Sequence, residues 1–181
     1  CYTGFNVEDA VILNQGSIDR GLFSTTKYAV YETYEETVMF GGGDKNSRIM
    51  NVYDPKENVT GFKSGYDYSK LDDNGLIKEG EIIDEKTILI GKAILPMDSE
   101  EPKSDASVKP KKGETGIIDK AFITEGREGT RIAKIRIRSI RTPALGDKFC
   151  SRAGQKGTVG MILPEVDMPT SASGLKPDII V

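Results

Sequence analysis

The chain has 181 residues, enough for one or two domains with a packed core, and its formal net charge is −3. It has no histidine, which excludes histidine-based triads and metal clusters, and its two cysteines, Cys1 and Cys150, show no zinc-site or disulfide spacing. No stretch approaches the ~20 apolar residues of a membrane span and no charged-then-apolar leader opens the chain, so we expect a soluble intracellular protein without an anchor or signal peptide.

The front of the chain, residues 6–22, is predicted to form one or two short helices. Asn6 can act as the N-cap, and Glu8 and Asp9 would lie in the first turn, where carboxylates complement the helix dipole. The apolar stripe of this helix would consist of Val7, Val11 and Ile12. The sequence therefore predicts an acidic helix start close to the N-terminal end.

The middle of the chain favours strands separated by turns. Residues 25–40 are rich in β-branched and aromatic residues and predict a strand, followed by the GGGD turn at 41–44. Residues 45–80 are turn-rich and polar, and KLDDNGLIKEGEII within them predicts a hairpin or loop that leads into a strand. Residues 85–95 predict another strand. Residues 98–112 mix proline, serine and both charges without periodicity and predict a mobile loop.

Two further strands are predicted around GIIDKAFIT and RIAKIRIRSI. In the second one, alternate residues would point to opposite faces, because side chains alternate along a strand. The apolar face would carry Ala133, Ile135 and Ile137, and the cationic face would carry Lys134, Arg136 and Arg138. The whole chain is therefore expected to be mostly β with minor α at its front.

Charge is distributed unevenly along the chain. Between Arg131 and Lys156 there are eight basic residues and one acidic residue, Asp147, so the remainder carries 17 basic and 27 acidic residues (25 − 8 and 28 − 1). A cationic strip on an acidic body attracts a polyanion locally, while the rest of the surface repels non-specific ones. Phosphate is the expected ligand.

The stretch GDKFCSRAGQKGT, residues 146–158, places Lys148, Arg152 and Lys156 at helical spacing but is unsuited to a helix. Its three glycines and the proline at 143 cost about 1 and 3 kcal/mol each in a helix interior, so a loop or short irregular strands are expected. Glycines let a backbone approach an anion, lysine supplies a compact charge, and arginine supplies a bidentate fork. The order of residues is not that of a Walker A loop. Composition alone favours a solvated basic hairpin.

Two other groups of charges have ordinary explanations beside functional ones. The adjacent carboxylates of Glu8 and Asp9 could bind magnesium together with phosphates, but local pattern by itself favours a role at the helix terminus. The cationic face of residues 134–138 could follow a nucleic-acid backbone, or could protect an edge strand from aggregation.

Several blocks together carry a resemblance to a known family. TGFNVEDAVILNQGSIDRGLF, LDDNGLI, GDKFCSRAGQKGTVGM and EVDMPTSASGLKPDIIV, in this order and spacing, resemble the second-largest subunit of multisubunit DNA-directed RNA polymerases, whose bacterial counterpart is the beta subunit. The sequence AGQKG is more similar to that of the large DNA virus branch of this family. The chain starts without Met and stops on the apolar PDIIV, so we expect a central fragment of that subunit.

The resemblance implies a fold and a set of partners. Residues 1–25 and 143–181 would belong to the hybrid-binding region, a partial double-psi β-barrel, interrupted at 26–142 by the wall or flap β domain. The partners would be the largest subunit and the other polymerase subunits, the DNA template, the RNA transcript and nucleoside triphosphates, and no membrane. The complex would be found in the nucleus or cytoplasm, or in the virion if viral, and the fragment alone would be inactive.

The resemblance also implies roles for individual residues. Lys148 and Lys156 would act in catalysis by holding phosphates of the RNA end or incoming nucleotide, and Arg152 and Gln155 would add nucleotide or nucleic-acid contacts. Asp9, with Glu8, would lie near a Mg²⁺ ion shared with the largest subunit. Many cellular relatives have RHGQKG or RHGNKG, whereas this chain has Arg152-Ala153-Gly154, so no role of that histidine carries over.

Three functions stay open at this point. The leading one is help in a two-metal nucleotidyl transfer, in which the protein positions reactants and neutralises charge on phosphate oxygens. The second is a non-catalytic clamp whose cations hold the backbone of a DNA–RNA hybrid. The third is structural, with the basic loop closing the barrel and the wall docking transcription factors.

Overall fold

The computed structural model describes residues 1–35, 37–40, 43–96, 101–126 and 129–181. Within these ranges strands predominate and helix is minor, which confirms the mostly β class, and none of the helices described there is long and apolar enough to cross a membrane. The elements in chain order are β1 (Ala10–Asn14), α1 (Gln15–Asp19), β2 (Thr25–Tyr34), β3 (Thr37–Phe40), β4 (Gly43–Ile49), β5 (Val59–Thr60), β6 (Ile82–Ile83), β7 (Lys92–Ile94), β8 (Lys103–Asp105), β9 (Gly116–Glu125), β10 (Arg131–Arg141), β11 (Lys148–Cys150), β12 (Lys156–Leu163) and β13 (Ile179–Ile180), with short 3-10 helices at Pro55–Glu57 and Glu165–Asp167.

The chain divides into two compact units. The first unit combines Cys1–Thr26 with Ile140–Val181, and the second unit is Lys27–Ser139. In the first unit one four-stranded sheet has the order β11-β12-β1-β13. Strand β1 pairs in parallel with β12 and antiparallel with β13, so the two ends of the chain share one sheet.

Strand β1 is buried on both of its faces. On one face Val11 and Leu13 pack in a cluster with Val159, and on the other Ile12 packs with Leu163 and Met168. A strand covered on both sides has a continuous apolar run instead of an alternating pattern. Periodicity alone cannot separate such a run from a buried helix.

The predicted helix at 6–22 is therefore wrong over most of its length. Asn6 accepts a hydrogen bond from the backbone N–H four residues earlier (2.8 Å) and lies among turns, so it caps no helix. The α-helix described in this range is Gln15–Asp19. It begins after Asn14, whose side chain accepts from the backbone N–H of Gly16 (2.9 Å).

The second unit contains two sheets, with the strand orders β2-β10-β9-β6 and β3-β4-β7-β8-β5. Strands β9 and β10 pair antiparallel and confirm the two strands predicted there. The predicted alternation along β10 is also confirmed: Ala133, Ile135 and Ile137 are fully buried, whereas Lys134 is half-buried and Arg136 and Arg138 are exposed. The buried face packs in a cluster with residues of β4, β6 and β9.

Other strand predictions hold only in part. The strand predicted at 25–40 is divided between β2 and β3, and the turn predicted at 41–44 lies partly outside the described residues. Of the strand predicted at 85–95, only Lys92–Ile94 is regular. Residues 88–90 are fully buried, but the bridges here are isolated ones at Thr87 and Ile90 instead of a continuous ladder.

The mobile loop predicted at 98–112 is wrong at its centre. Residues Lys103–Asp105 form β8, which pairs with β5 on one side and with β7 on the other. These pairings are non-local, so the polar composition of the segment did not reveal them. Residues 98–100 of this prediction lie outside the described residues.

Strand β10 offers a direct test of the core. Ile137→Ala should lower the free energy of unfolding by about 2–5 kcal/mol, because Ile137 is 0% exposed and its truncation leaves a cavity. Ile140→Ala on the same strand, where the side chain is 75% exposed, should change it by no more than about 0.5 kcal/mol. Urea unfolding followed by circular dichroism measures both, and equal losses would contradict the assigned faces of β10.

Candidate functional site

Residues 146–158 form a β-hairpin, which confirms the expectation of short strands instead of a helix. Strand β11 runs antiparallel to the start of β12. Lys148 lies opposite Thr158, and Cys150 lies opposite Lys156. Lys148, Arg152 and Lys156 therefore do not line one face of a helix, although their spacing would allow it.

The turn of the hairpin uses its own backbone amides. Ser151 donates its N–H to the carbonyl of Gln155 (3.0 Å), and Gly154 donates to the carbonyl of Ser151 (3.0 Å). The N–H of Gln155 donates to the hydroxyl of Ser151 (3.3 Å). These three amides are already hydrogen-bonded within the turn. These three amides are therefore not available to an anion.

The glycines of this stretch have local structural reasons. Gly146 and Gly154 have φ of +84° and +81°, in the left-handed region that favours glycine. Gly157 lies against the ring of Phe149, where a Cβ would come within 3.2 Å of ring carbon. They shape the hairpin, so an approach of backbone to an anion is not needed to explain them.

Lys148 and Lys156 leave the hairpin on the same side. Residues opposite each other in an antiparallel pair share a face, and residues two apart on one strand share a face as well. Lys156 and Thr158 are two apart, and Thr158 is opposite Lys148. Phe149, on the other face, packs against the cluster that contains Val159. The two ammonium groups therefore point away from that core.

Three cations of the hairpin have no acidic partner among the residues that the structure describes. Lys148, Arg152 and Lys156 are exposed, and within the described ranges of the chain no carboxylate forms an ion pair with any of them. Gln155, in the same turn, is exposed too. The four residues predicted to contact nucleotide are thus brought together on one hairpin.

The other five basic residues of the predicted cationic strip each lie within ion-pair distance of an acid, and two of them share Asp119. Their pairs are Arg131 with Glu35 (3.2 Å), Lys134 with Glu32 (3.3 Å), Arg136 with Asp119 (2.5 Å), Arg138 with Asp119 (4.0 Å) and Arg141 with Asp147 (2.6 Å). The single continuous strip inferred from the sequence is therefore wrong, because acids distant in sequence pair with its first part. The strand face at 134–138 is better explained as an ordinary outer surface than as a nucleic-acid track.

The acidic pair, Glu8 and Asp9, precedes a strand. Both residues are exposed, and within the part of the chain that is described neither carboxylate forms an ion pair or hydrogen bond. Since β1 follows them instead of a helix, the explanation that they complement a helix dipole is wrong. Their charges are left for a group outside this chain or for solvent.

The first sheet brings the acidic pair beside the basic hairpin. Thr158 donates its N–H to the carbonyl of Asp9 (2.8 Å). Thr158 is also paired with Ala10 on one neighbouring strand and with Lys148 on the other. Adjacent strands lie about 4.8 Å apart, so two strand spacings place the backbones of Ala10 and Lys148 about 10 Å apart. The acidic pair and Lys148, from opposite ends of the chain, thus lie close together in the sheet β11-β12-β1-β13.

A cleft of about 490 Å³ opens beside Lys148 within the first unit. Its wall includes Phe23 and Phe149, whose stacked rings have centroids 5.3 Å apart. Sequence reasoning missed this cleft, because Phe23 and Phe149 are far apart along the chain. It also missed Asp147, which appeared only as the single acid among eight bases. The turn signal Leu-Gly-Asp before Lys148 could have pointed to that residue.

The donor set fits magnesium only in combination with phosphate. Among the described residues, no three carboxylates or cysteines form a cluster that could hold a metal ion by themselves. Two adjacent exposed carboxylates are nevertheless sufficient for magnesium, which often takes one or two protein carboxylates plus phosphate oxygens and water.

Comparison with known proteins identifies the family. Residues 1–181 match the family described as RNA polymerase Rpb2, domain 6. The chain is 39% identical over 188 residues to DNA-directed RNA polymerase subunit Rpo2 of Saccharolobus solfataricus, covering 99% of this chain and 16% of that protein. It is 41% identical over 191 residues to DNA-directed RNA polymerase II subunit RPB2 of Schizosaccharomyces pombe, covering 100% of this chain and 15% of that protein.

A plant relative gives the same result. DNA-directed RNA polymerase II subunit 2 of Arabidopsis thaliana is 38% identical over 195 residues, which cover all of this chain and 15% of that protein. The chain thus spans about one sixth of the length of these relatives. The chain belongs to the RNA polymerase Rpb2 domain 6 family, and so to the second-largest polymerase subunits that its GDK and GQKG blocks predicted.

Proposed function

We propose that this chain is the part of a DNA-directed RNA polymerase second-largest subunit that holds phosphates at the active centre during RNA synthesis. One observation carries the proposal. Among the described residues, three cations of one hairpin have no acidic partner, and two carboxylates beside that hairpin have no basic partner. Five of the eight basic residues of this stretch pair with acids, whereas the three on the hairpin do not pair with any described acid, which favours an anionic ligand at the hairpin.

Each hairpin side chain has a distinct task in this proposal. Lys148 and Lys156, on the same face, neutralise phosphates of the RNA 3′ end or of the incoming nucleoside triphosphate. Arg152 offers a planar fork for two oxygens of one phosphate, and Gln155 offers an amide donor. Three amides of the turn, those of Ser151, Gly154 and Gln155, are hydrogen-bonded within it, and in this proposal side chains carry the recognition.

Asp9 and Glu8 hold magnesium together with carboxylates of the largest subunit. When bound, magnesium neutralises charge on triphosphate oxygens. In this chain the carboxylates supply negative charge next to the cationic hairpin. Glu8 and Asp9 would hold the metal, and Lys148 and Lys156 would hold the phosphates.

The reaction is nucleotidyl transfer. The RNA 3′ hydroxyl attacks the α-phosphate of a nucleoside triphosphate, a new phosphodiester bond forms, and the bond to pyrophosphate breaks. The chain's own residues contribute by orienting the phosphates and by stabilising charge that develops on their oxygens.

The family suggests names for the parts. Residues 1–25 and 143–181 are proposed to be the hybrid-binding region in a partial double-psi barrel, and residues 26–142 the wall or flap. The parallel pairing of β1 with β12, across a long intervening segment, supports such a barrel. The proposed partners are the largest and other polymerase subunits, template DNA and RNA, inside the cell. Placement in the large DNA virus branch stays a prediction, because the relatives compared are archaeal and eukaryotic.

A hybrid clamp is the second candidate, and the exposure of all three hairpin cations favours it. In a clamp, Lys148, Arg152 and Lys156 would contact backbone phosphates of the DNA–RNA hybrid and fix its register without joining the chemistry. Removing one of these charges would slow nucleotide addition if the hairpin acts in catalysis. It would instead weaken retention of the hybrid if the hairpin acts as a clamp.

Deleting the second lysine separates the two candidates. Lys156→Ala in the assembled polymerase should slow single-nucleotide addition about 10²- to 10³-fold, because a lost transition-state contact costs about 2–4 kcal/mol. Rapid-quench kinetics measures the rate. Lys134→Ala, which removes a lysine already paired with Glu32, is the matched control and should add nucleotides normally. Normal addition by Lys156→Ala with faster loss of the hybrid would support the clamp.

Neutralising an acid tests the metal role. Asp9→Asn should raise the magnesium concentration needed for half-maximal nucleotide addition, since an amide binds magnesium more weakly than a carboxylate does. A magnesium titration of the addition rate measures this. Asp19→Asn, which neutralises an exposed acid of α1, should leave the titration unchanged. An identical curve for Asp9→Asn and the native enzyme would remove Asp9 from the metal site.

A further inference from the structure

Asp147 closes the turn that leads into Lys148. Its N–H donates to the carbonyl of Ala144 (3.1 Å), and its carboxylate Oδ2 accepts from the N–H of Ala144 (3.0 Å). Gly146, the third residue of this turn, has φ of +84°, which a type II turn requires. The backbone and the side chain of Asp147 thus both hydrogen-bond to the backbone of Ala144, the first residue of the turn.

The other carboxylate oxygen of Asp147 holds the end of β10. Its Oδ1 accepts from the guanidinium of Arg141 at 2.6 Å. The aspartate side chain is 28% exposed and the arginine side chain 65%, so water reaches this pair mainly from the arginine side. Asp147 therefore ties the turn to Arg141, which lies six residues earlier in the chain.

The same turn is anchored to β12, which carries the second lysine. Gly146 donates its N–H to the carbonyl of Val159 (2.9 Å), and Val159 donates back to the carbonyl of Asp147 (2.9 Å). Lys148 follows immediately and lies opposite Thr158. The backbone position of Lys148 relative to β12 is therefore set at Asp147.

Asp147 pairs with Arg141 and leaves the charge of its neighbour free. Adjacent residues of a strand point to opposite faces, and the carboxylate of Asp147 forms no ion pair with Lys148. Arg141, which also lines the cleft beside Lys148, is neutralised by that carboxylate. An anion that approaches the cleft then meets Lys148 as the unpaired cation of its described lining.

We infer that Asp147 is a positioning residue for Lys148: by holding Arg141 and the turn, its carboxylate sets the place of the Lys148 ammonium and keeps the neighbouring guanidinium from competing for phosphate. This inference rests on the proposed function. It predicts that the effect of Asp147 on nucleotide addition passes through Lys148. A role in folding alone would not depend on which residue stands at 148.

A double-mutant cycle in the assembled polymerase tests the inference. The readout is kcat/KM for single-nucleotide addition in Asp147→Ala, Lys148→Ala and the double variant. Asp147→Ala should lower it about 10- to 100-fold, the range expected when a reactant-positioning group is misplaced. In the Lys148→Ala background the same change should have little further effect. Asp147→Asn, which keeps an oxygen for the Ala144 N–H but loses the ion pair, should fall between Asp147→Ala and the native enzyme.

Asp119→Ala is the matched control, because it breaks the pairs with Arg136 and Arg138 in the second unit. Its effect should be the same with and without Lys148. If Asp147→Ala and Lys148→Ala multiply in the double variant, or if Lys148→Ala is slow and Asp147→Ala is normal, the inference is overturned and the proposed function stands. If Lys148→Ala itself adds nucleotides normally, the proposed role of Lys148 fails, and the inference fails with it. If Asp147→Ala does not assemble, the comparison of Asp147→Asn with and without Lys148 decides in the same way.

Discussion

The parallel pairing of β1 with β12 is the constraint on which the site depends. It places residues from the first ten positions beside residues near position 158, with the backbone of Asp9 hydrogen-bonded to Thr158. Burial of β1 on both faces stabilises this pairing, because apolar side chains pack against each side of the strand. This strand contact makes the acidic pair and the basic hairpin neighbours.

Charge pairing then decides which of the basic residues can serve a ligand. Five cations between Arg131 and Arg141 are matched by acids from other strands or from the turn at Asp147, while the hairpin cations face solvent. The matched cations give a charged outer face to β10. The hairpin cations are exposed and lie in the same sheet as the strand that follows Glu8 and Asp9.

Sequence patterns predicted local features better than pairings. The alternation in β10 and the glycine and proline content of 143–157 depend on near neighbours, so the strand and the hairpin were predictable. The helix expected at 6–22 failed because β1 is covered on both faces, a fact set by distant residues. The strand at Lys103–Asp105 and the ion pairs of Asp119 likewise depend on partners far along the chain. The candidate residues came from the family's motifs, and their adjacency came from the sheet.

Affinity labelling of the assembled polymerase tests most directly whether the hairpin lysines meet the nucleotide's phosphates. A nucleoside triphosphate with an aldehyde attached to its terminal phosphate would form an imine with a lysine within reach, and borohydride would make that bond permanent. Peptide mapping should find the label on Lys148 or Lys156 and not on Lys134, and excess unmodified triphosphate should prevent the labelling. Label spread over exposed lysines elsewhere, with both hairpin lysines unmodified, would contradict the proposed site.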